Sequence, residues 1–149
     1  MMLYILDTDT CSYIIRKNPG KVLEAMDASV QQGHEIAISA ITYAELMLGA
    51  KRSGNPAKHI ALITEFCERL HDIYAWDASA AEQFADLQTL LFNKGMPIGA
   101  NDTLIAAHVL SLGATLVTNN TKHFTKVPAL SIVNWTGSGS EEEAATHNT

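Results

Sequence analysis

The chain has 149 residues, 47% hydrophobic and 17% charged, which is enough for one self-sufficient core and too ordinary a composition for a disordered protein. Its formal charge is −6; Glu141, Glu142 and Glu143 supply three of those negatives, so −6 less −3 leaves about −3 for the remainder. That balance excludes nucleic-acid binding through bulk positive charge, but not a site where bound metal reverses the local sign.

Two cysteines, Cys11 and Cys67, are too few and too far apart for a disulfide scaffold or a four-ligand zinc site. Reduced thiols are expected. The chain begins without a basic segment or a long apolar run, so no signal peptide or membrane span is expected, and the cytoplasm is the expected location.

In chain order, Leu3–Leu6 reads as a first strand, running straight into Asp7 with a second acid at Asp9. A short helix through Tyr13 and Ile14 could follow, with Asp9 as its N-cap. A helix is expected from about Pro19 to Gln32, and a strand at Ile36–Ser39. The next helix runs from about Ala40 to Gly49, then another from Ala57 to Leu70. A weak strand follows at Ile73–Tyr74, then a long helix from Ala78 to Lys94, stopped by Gly95 and Pro97. The last helix opens near Asn101 or Asp102 and ends at Gly113, before strands at Leu116–Thr118 and Ile132–Asn134. Short apolar runs alternating with helical patterns indicate an α/β fold with a mostly parallel, twisted sheet of about five strands flanked by helices. Residues 1–136 read as one domain and 137–149 as a flexible, polar, acidic tail.

In such a sheet, sites form outside the carboxyl ends of the strands. Asp7, Thr8 and Asp9 stand after the first strand, Ser39 and its helix after the second, and Thr118, Asn119 and Asn120 after the fourth. Glu45 shares a helical face with Ile41 and Leu48, and a carboxylate on an apolar stripe must find a partner. An ion pair to Lys51 or Arg52 would be the purely structural answer. Asp102 starts a face continued by Ile105, Ala106 and Val109; it could cap its helix, or Asn101 could cap and leave it free. Asp7 and the Asn pair could equally be turn residues. Taken together, however, Asp7, Glu45, Asp102 and Asn120 project toward one end of one sheet. Crowded carboxylates repel unless a cation neutralises them, and an oxygen-rich set suits Mg²⁺ or Mn²⁺. The six histidines show no paired metal spacing, and His108 reads as a packed or rim residue. Such a cage is what phosphodiester hydrolysis requires.

LDTDTCSYI, ISAITYAELMLGA, PIGANDTLIAAH and VTNNTKHF, in that order over roughly residues 2 to 135, resemble the successive motifs of PIN-domain ribonucleases, and within them the VapC toxins of VapBC toxin–antitoxin modules. The resemblance implies a three-layer PIN-like domain and Mg²⁺- or Mn²⁺-dependent endonucleolytic cleavage of RNA, with tRNA the substrate class it points to. Asp7, Glu45 and Asp102 match the three acidic metal ligands, and Asn120 the position where many members carry a fourth acid and others Asn. Thr118, Thr8, Asp9 and Ser39 would support the metals or the substrate. The resemblance also implies homodimers, and a VapB-type antitoxin whose C-terminal segment blocks the site. Arg16, Lys17, Lys51, Lys94 and Lys122 flank these segments as candidate phosphate contacts, although each also fits an ordinary solvated surface.

Two rival readings have specific tests. A strand followed by Asp-x-Asp also opens haloacid-dehalogenase-type phosphatases, but Cys11 stands where those usually carry Thr or Val, and Glu45 would have no role. A catalytically degenerate binding module is the other; it would not take up Mn²⁺ in a manner sensitive to Asp7→Asn.

Overall fold

A computed structural model describes residues 1–136; the expected acidic tail at 137–149 lies outside the described residues. Five strands form one sheet: β1 (Leu3–Leu6), β2 (Glu35–Ser39), β3 (Asp72–Tyr74), β4 (Thr115–Val117) and β5 (Ser131–Val133). Their order is β3-β2-β1-β4-β5 and every pairing is parallel. The first strand in sequence is therefore the central one, bonded on one edge with Tyr4 opposite Ile36 and on the other with Leu6 opposite Val117.

Among the described residues seven helices connect and cover these strands: α1 (Thr8–Arg16), α2 (Gly20–Gln31), α3 (Ala40–Lys51), α4 (Pro56–Glu68), α5 (Ala78–Asn93), α6 (Ala100–Leu112) and the single turn α7 (Thr121–Phe124). Alternation along the strands divides the interior into two cores. Ile5, Ala37, Leu116 and Ile132 point to one face, where Leu87 and Leu91 of α5, Ile105 and Val109 of α6, and Phe124 of α7 cover them. Leu6, Ile36, Ile38 and Val117 point to the other, under Cys11 and Ile14 of α1, Met26 of α2, Leu46 of α3 and Phe66 of α4. This is the three-layer architecture expected. Strands covered on both faces read as continuous apolar runs, which is why LYIL and EIAIS stood out.

The order of strand addition reverses beside β1: β2 and β3 build outward on one side, β4 and β5 on the other. That switch point leaves a crevice at the carboxyl ends of β1 and β4, the usual place for a ligand in an open parallel sheet. Leu6 and Val117, both wholly buried, fix the backbone at the crevice floor. The next residue, Asp7, is still tied in, its N–H donating to Val117 C=O at 3.0 Å.

No helix among the described residues is long and apolar enough to cross a membrane. The two cysteines are free, Cys11 buried and Cys67 half-buried, as expected of reduced thiols.

Candidate metal centre

Asp7 is the residue on which the crevice is built. Its backbone is extended, and its Oδ1 accepts the Thr10 N–H at 2.9 Å, so Asp7 is the N-cap of α1. The expectation that Asp9 caps this helix is corrected. Asp9 sits one residue inside the first turn, because β1 pairing carries the extended backbone only as far as Asp7. Burial pushes the Asp7 carboxyl above its ordinary value of 3.8 and the neighbouring Asp9 charge adds to this, while hydrogen bonds from Thr118 and Thr10 pull the other way. Cys11 lies wholly buried beneath it; burial first, then the Asp7 charge, raise that thiol well above its usual range, which makes it an inert packing residue.

Glu45 projects from α3 on the adjacent edge. Its Oε1 accepts from Thr8 Oγ1 at 2.8 Å and its Oε2 from Asn101 Nδ2 at 3.2 Å. Among the described residues it makes no ion pair with Lys51 or Arg52. The apolar stripe on which it was placed is also corrected: Leu48 is 57% exposed, and the face of α3 turned to the core is Thr42, Leu46 and Ala50. This helix is apolar nearly all round, so helical spacing alone does not distinguish its buried face.

Asp102 lies in the first turn of α6 but does not cap it, and neither does Asn101. The N-cap is Gly99, at φ 100°, a backbone conformation that side chains strain. That turn leaves the Asp102 carboxylate pointing into the crevice, where Oδ2 meets His123 Nδ1 at 3.0 Å and Asn120 Nδ2 at 3.4 Å. Asn120 is held in turn by Thr118, whose Oγ1 accepts the Asn120 N–H at 2.9 Å. Wholly buried Thr118 thus touches both Asp7 and Asn120.

These groups share one cavity of about 160 Å³, lined by Asp7, Thr8, Asp9, Glu45, Asp102 and Asn120 over a floor that includes Ile105 and Phe124. Ser39 is elsewhere. It is wholly buried, caps α3 by accepting from Ile41 N–H at 3.1 Å, and pairs with His108 Nδ1 at 2.8 Å, so it cannot contact a substrate. His108 is the packed residue expected; burial lowers its basicity. Of the basic residues, Arg16 folds over the Tyr13 ring at 5.4 Å. Lys17, Lys51, Lys94 and Lys122 are exposed. Three participants escaped the sequence reading. Asn101 and Thr10 had no signal beyond their neighbours, whereas His123 stands three residues after Asn120, a spacing that one helical turn brings together.

Three carboxylates and an amide are hard oxygen donors of the kind Mg²⁺ and Mn²⁺ take. Each acid is at present held by protein donors, and no three His, Cys, Asp or Glu side chains among the described residues close into a coordination shell. The residues nevertheless fit such an ion in donor type and in lining one cavity. The buried Asp7 carboxylate is a charge that a cation would stabilise.

Residues 4–130 match the family model for the PIN domain. The chain belongs to the PIN-domain family. Within it, the chain is 38% identical to ribonuclease VapC2 of Rickettsia felis, over 90% of this chain and 98% of that one. It is 36% identical to the tRNA(fMet)-specific endonuclease VapC of Shigella flexneri, over 91% and 99%. The crystal structure of Rickettsia felis VapBC2 bound to a promoter DNA fragment superposes with a TM-score of 0.85 at 37% identity, covering 90% of this chain and 99% of its counterpart. The chain is thus a VapC-type PIN-domain ribonuclease, and the phosphatase alternative falls away.

Proposed function

We propose that the protein is a divalent-metal-dependent endoribonuclease toxin that cleaves tRNA and is silenced by a VapB-type antitoxin in the cytoplasm. The observation that carries this reading is the convergence of Asp7, Glu45, Asp102 and Asn120 on one cavity at the switch point of the sheet.

Asp7, Glu45 and Asp102 would hold Mg²⁺ or Mn²⁺ there, with Asn120 completing the oxygen set. A bound ion supplies a water of lowered pKa and stabilises charge on the departing oxygen. The chain's own work is positioning. Thr8 and Asn101 clamp Glu45, Thr118 and Thr10 orient Asp7, and the β1–β4 pairing holds the platform still. Arg16, Lys17, Lys51, Lys94 and Lys122 would meet RNA phosphates, which position a backbone without reading its sequence. The relatives named as tRNA(fMet)-specific endonucleases support tRNA, and initiator tRNA first, as the substrate.

The antitoxin's seat is proposed from the larger groove of about 420 Å³ between α1, α3 and α4, lined by Ile15, Leu46, Ala50 and Ile63. Thr8, Asp9 and Glu45 line both this groove and the metal cavity, so a segment laid in one reaches the other. The exposed apolar residues Tyr43, Leu48, Phe92 and Met96 support a homodimer, measurable by light scattering.

The test is cleavage of total tRNA by the purified chain with Mg²⁺ or Mn²⁺, beside EDTA and Asp7→Asn controls. Discrete fragments that vanish in both controls are expected. Wild type and Asp7→Asn leaving tRNA equally intact would overturn the tRNase reading, and binding without cleavage would favour the degenerate binding module.

A further inference from the structure

We propose that Tyr13, Asn119 and Arg16 form a nucleotide subsite beside the acidic cavity, which takes an unpaired RNA base by its acceptor edge and favours guanine over adenine. It rests on the metal-dependent ribonuclease reading above and adds base selection to it.

The three side chains flank the cavity. Asn119 directly precedes Asn120, and Tyr13 lies four residues along α1 from Asp9; Asn120 and Asp9 both line the cavity. At 1.5 Å per residue, four residues span about 6 Å of helix. Asn119 and Arg16 are exposed and Tyr13 is half-buried.

The hydrogen-bond directions here follow from one backbone group. The Thr136 N–H can only donate, so the Asn134 atom 2.9 Å from it is Oδ1, which also accepts from Thr136 Oγ1 at 2.7 Å. Buried Asn134 therefore turns its Nδ2 toward Asn119, 3.5 Å from Oδ1. That leaves Asn119 Nδ2 facing Tyr13, where it donates to the phenol oxygen at 3.3 Å. The phenol oxygen receives a hydrogen, so its own is unspent, as is the second hydrogen on Asn119 Nδ2. Neither has an acceptor among the described residues. Both Asn119 contacts are longer than the usual range of about 2.7–3.2 Å, so exchanging them for a ligand's costs little.

Arg16 adds charge. Its guanidinium stands over the Tyr13 ring, 5.4 Å from the centroid, with Nε donating to Ser12 C=O at 3.3 Å. Its terminal amino groups meet no carboxylate among the described residues. The patch thus offers two neighbouring donors, a positive charge and an aromatic ring. Beside a ribonuclease centre, the ligand of matching chemistry is the strand being cut. Sequence-dependent RNA recognition reads the edges of unpaired bases held against aromatic or guanidinium planes. Of the purines, guanine presents two adjacent acceptors, O6 and N7, whereas adenine sets an amino donor beside N7 and would oppose one of the two donors. The terminal amino groups of Arg16 are left for that nucleotide's phosphate.

The test is cleavage, by the full chain with Mn²⁺, of an RNA hairpin pool with a randomised loop, read by sequencing the fragment ends. Wild type is expected to enrich guanine over adenine about tenfold at one position flanking the cut, within what a bidentate base contact supplies. Tyr13→Phe and Asn119→Ala should each flatten that enrichment, with circular dichroism matching wild type. Arg16→Ala should raise KM and leave the enrichment in place. In a single hairpin carrying the preferred base, inosine keeps O6 and N7 and should be cut as guanosine is, while 7-deazaguanosine should be cut about tenfold more slowly. No guanine preference beside the cut, a preference intact in both Tyr13→Phe and Asn119→Ala, or variants that slow cleavage equally for every base would each overturn the subsite. The last of these would place the two donors on phosphate. Wild type leaving the pool intact, or cutting it as Asp7→Asn does, would overturn the metal-dependent ribonuclease reading and the subsite with it.

Discussion

Replacing Ser39 with alanine is expected to destabilise the protein by about 2–4 kcal/mol. Ser39 Oγ has two tasks. It accepts the Ile41 N–H at 3.1 Å as the N-cap of α3, and removing a serine cap costs about 1 kcal/mol. It also lies 2.8 Å from Nδ1 of His108, a ring only 1% exposed that is otherwise bonded to the backbone of Ala75. Stranding that buried nitrogen adds about 1–3 kcal/mol. For a chain of this size the sum corresponds to a fall in Tm of roughly 5–15 °C. The assay is denaturant unfolding of the metal-free wild type, Ser39→Ala, His108→Leu and the double variant. A coupling of about 1–2 kcal/mol is expected, because once the ring is gone no nitrogen is left to strand. The pair also joins the helix carrying Glu45 to the helix carrying Asp102, so Ser39→Ala should weaken Mn²⁺ binding as well. Stability within about 0.5 kcal/mol of wild type, a surface-like value, or strictly additive losses would refute the reasoning.

Asp7→Asn should abolish cleavage and Mn²⁺ uptake yet raise the Tm of the metal-free protein at neutral pH, since Asn keeps the cap and removes a buried charge. Because the folded pKa of Asp7 is raised, the native state holds that proton more tightly than the unfolded chain. The stability it contributes is present in acid and lost as pH rises through the folded value, so the advantage of Asn should vanish in scans below pH 3.8. His108 has the opposite sense: its folded pKa lies below 6.5, so the unfolded chain gains a proton the native state refuses. Stability should be full above pH 6.5 and fall as pH drops, and His108→Leu should flatten that slope in a Tm series from about pH 8 to about pH 5. Thr42 is wholly buried with an Oγ1 lacking a hydrogen-bond partner; Thr42→Val should therefore be neutral or stabilising by up to about 1 kcal/mol, and a loss above 1 kcal/mol on unfolding would contradict this.

The residues that read best from sequence were those whose surroundings are local. Leu3–Leu6 followed by Asp7 announces a strand tip in one glance, and the apolar mates of Asp102 did mark an inward face. Glu45 does line the cavity with Asp7 and Asp102, but the face it was placed on was mistaken, since α3 is apolar nearly all round and only tertiary packing decides that Leu48 is exposed. The cap of α1 moved from Asp9 to Asp7 because pairing with β4, more than a hundred residues away, sets where extended backbone stops. α7 is too short for periodicity to reveal, so His123 was hidden with it. Ser39 looked like a site residue by position along β2; its burial against His108 is a long-range fact.

The central place of β1 has a consequence for synthesis. The strand and its first acid are made more than a hundred residues before Val117, which supplies the edge that receives Leu6, and the Asn120 amide comes later still. A ribosome-bound chain that has not yet released β4 holds β1 half-paired, with Asp7 unclamped by Val117 or Thr118. The acidic cavity can therefore close only after β4 and the residues through Asn120 have left the ribosome, so the proposed metal centre is assembled from the two ends of the described fold rather than as the chain emerges.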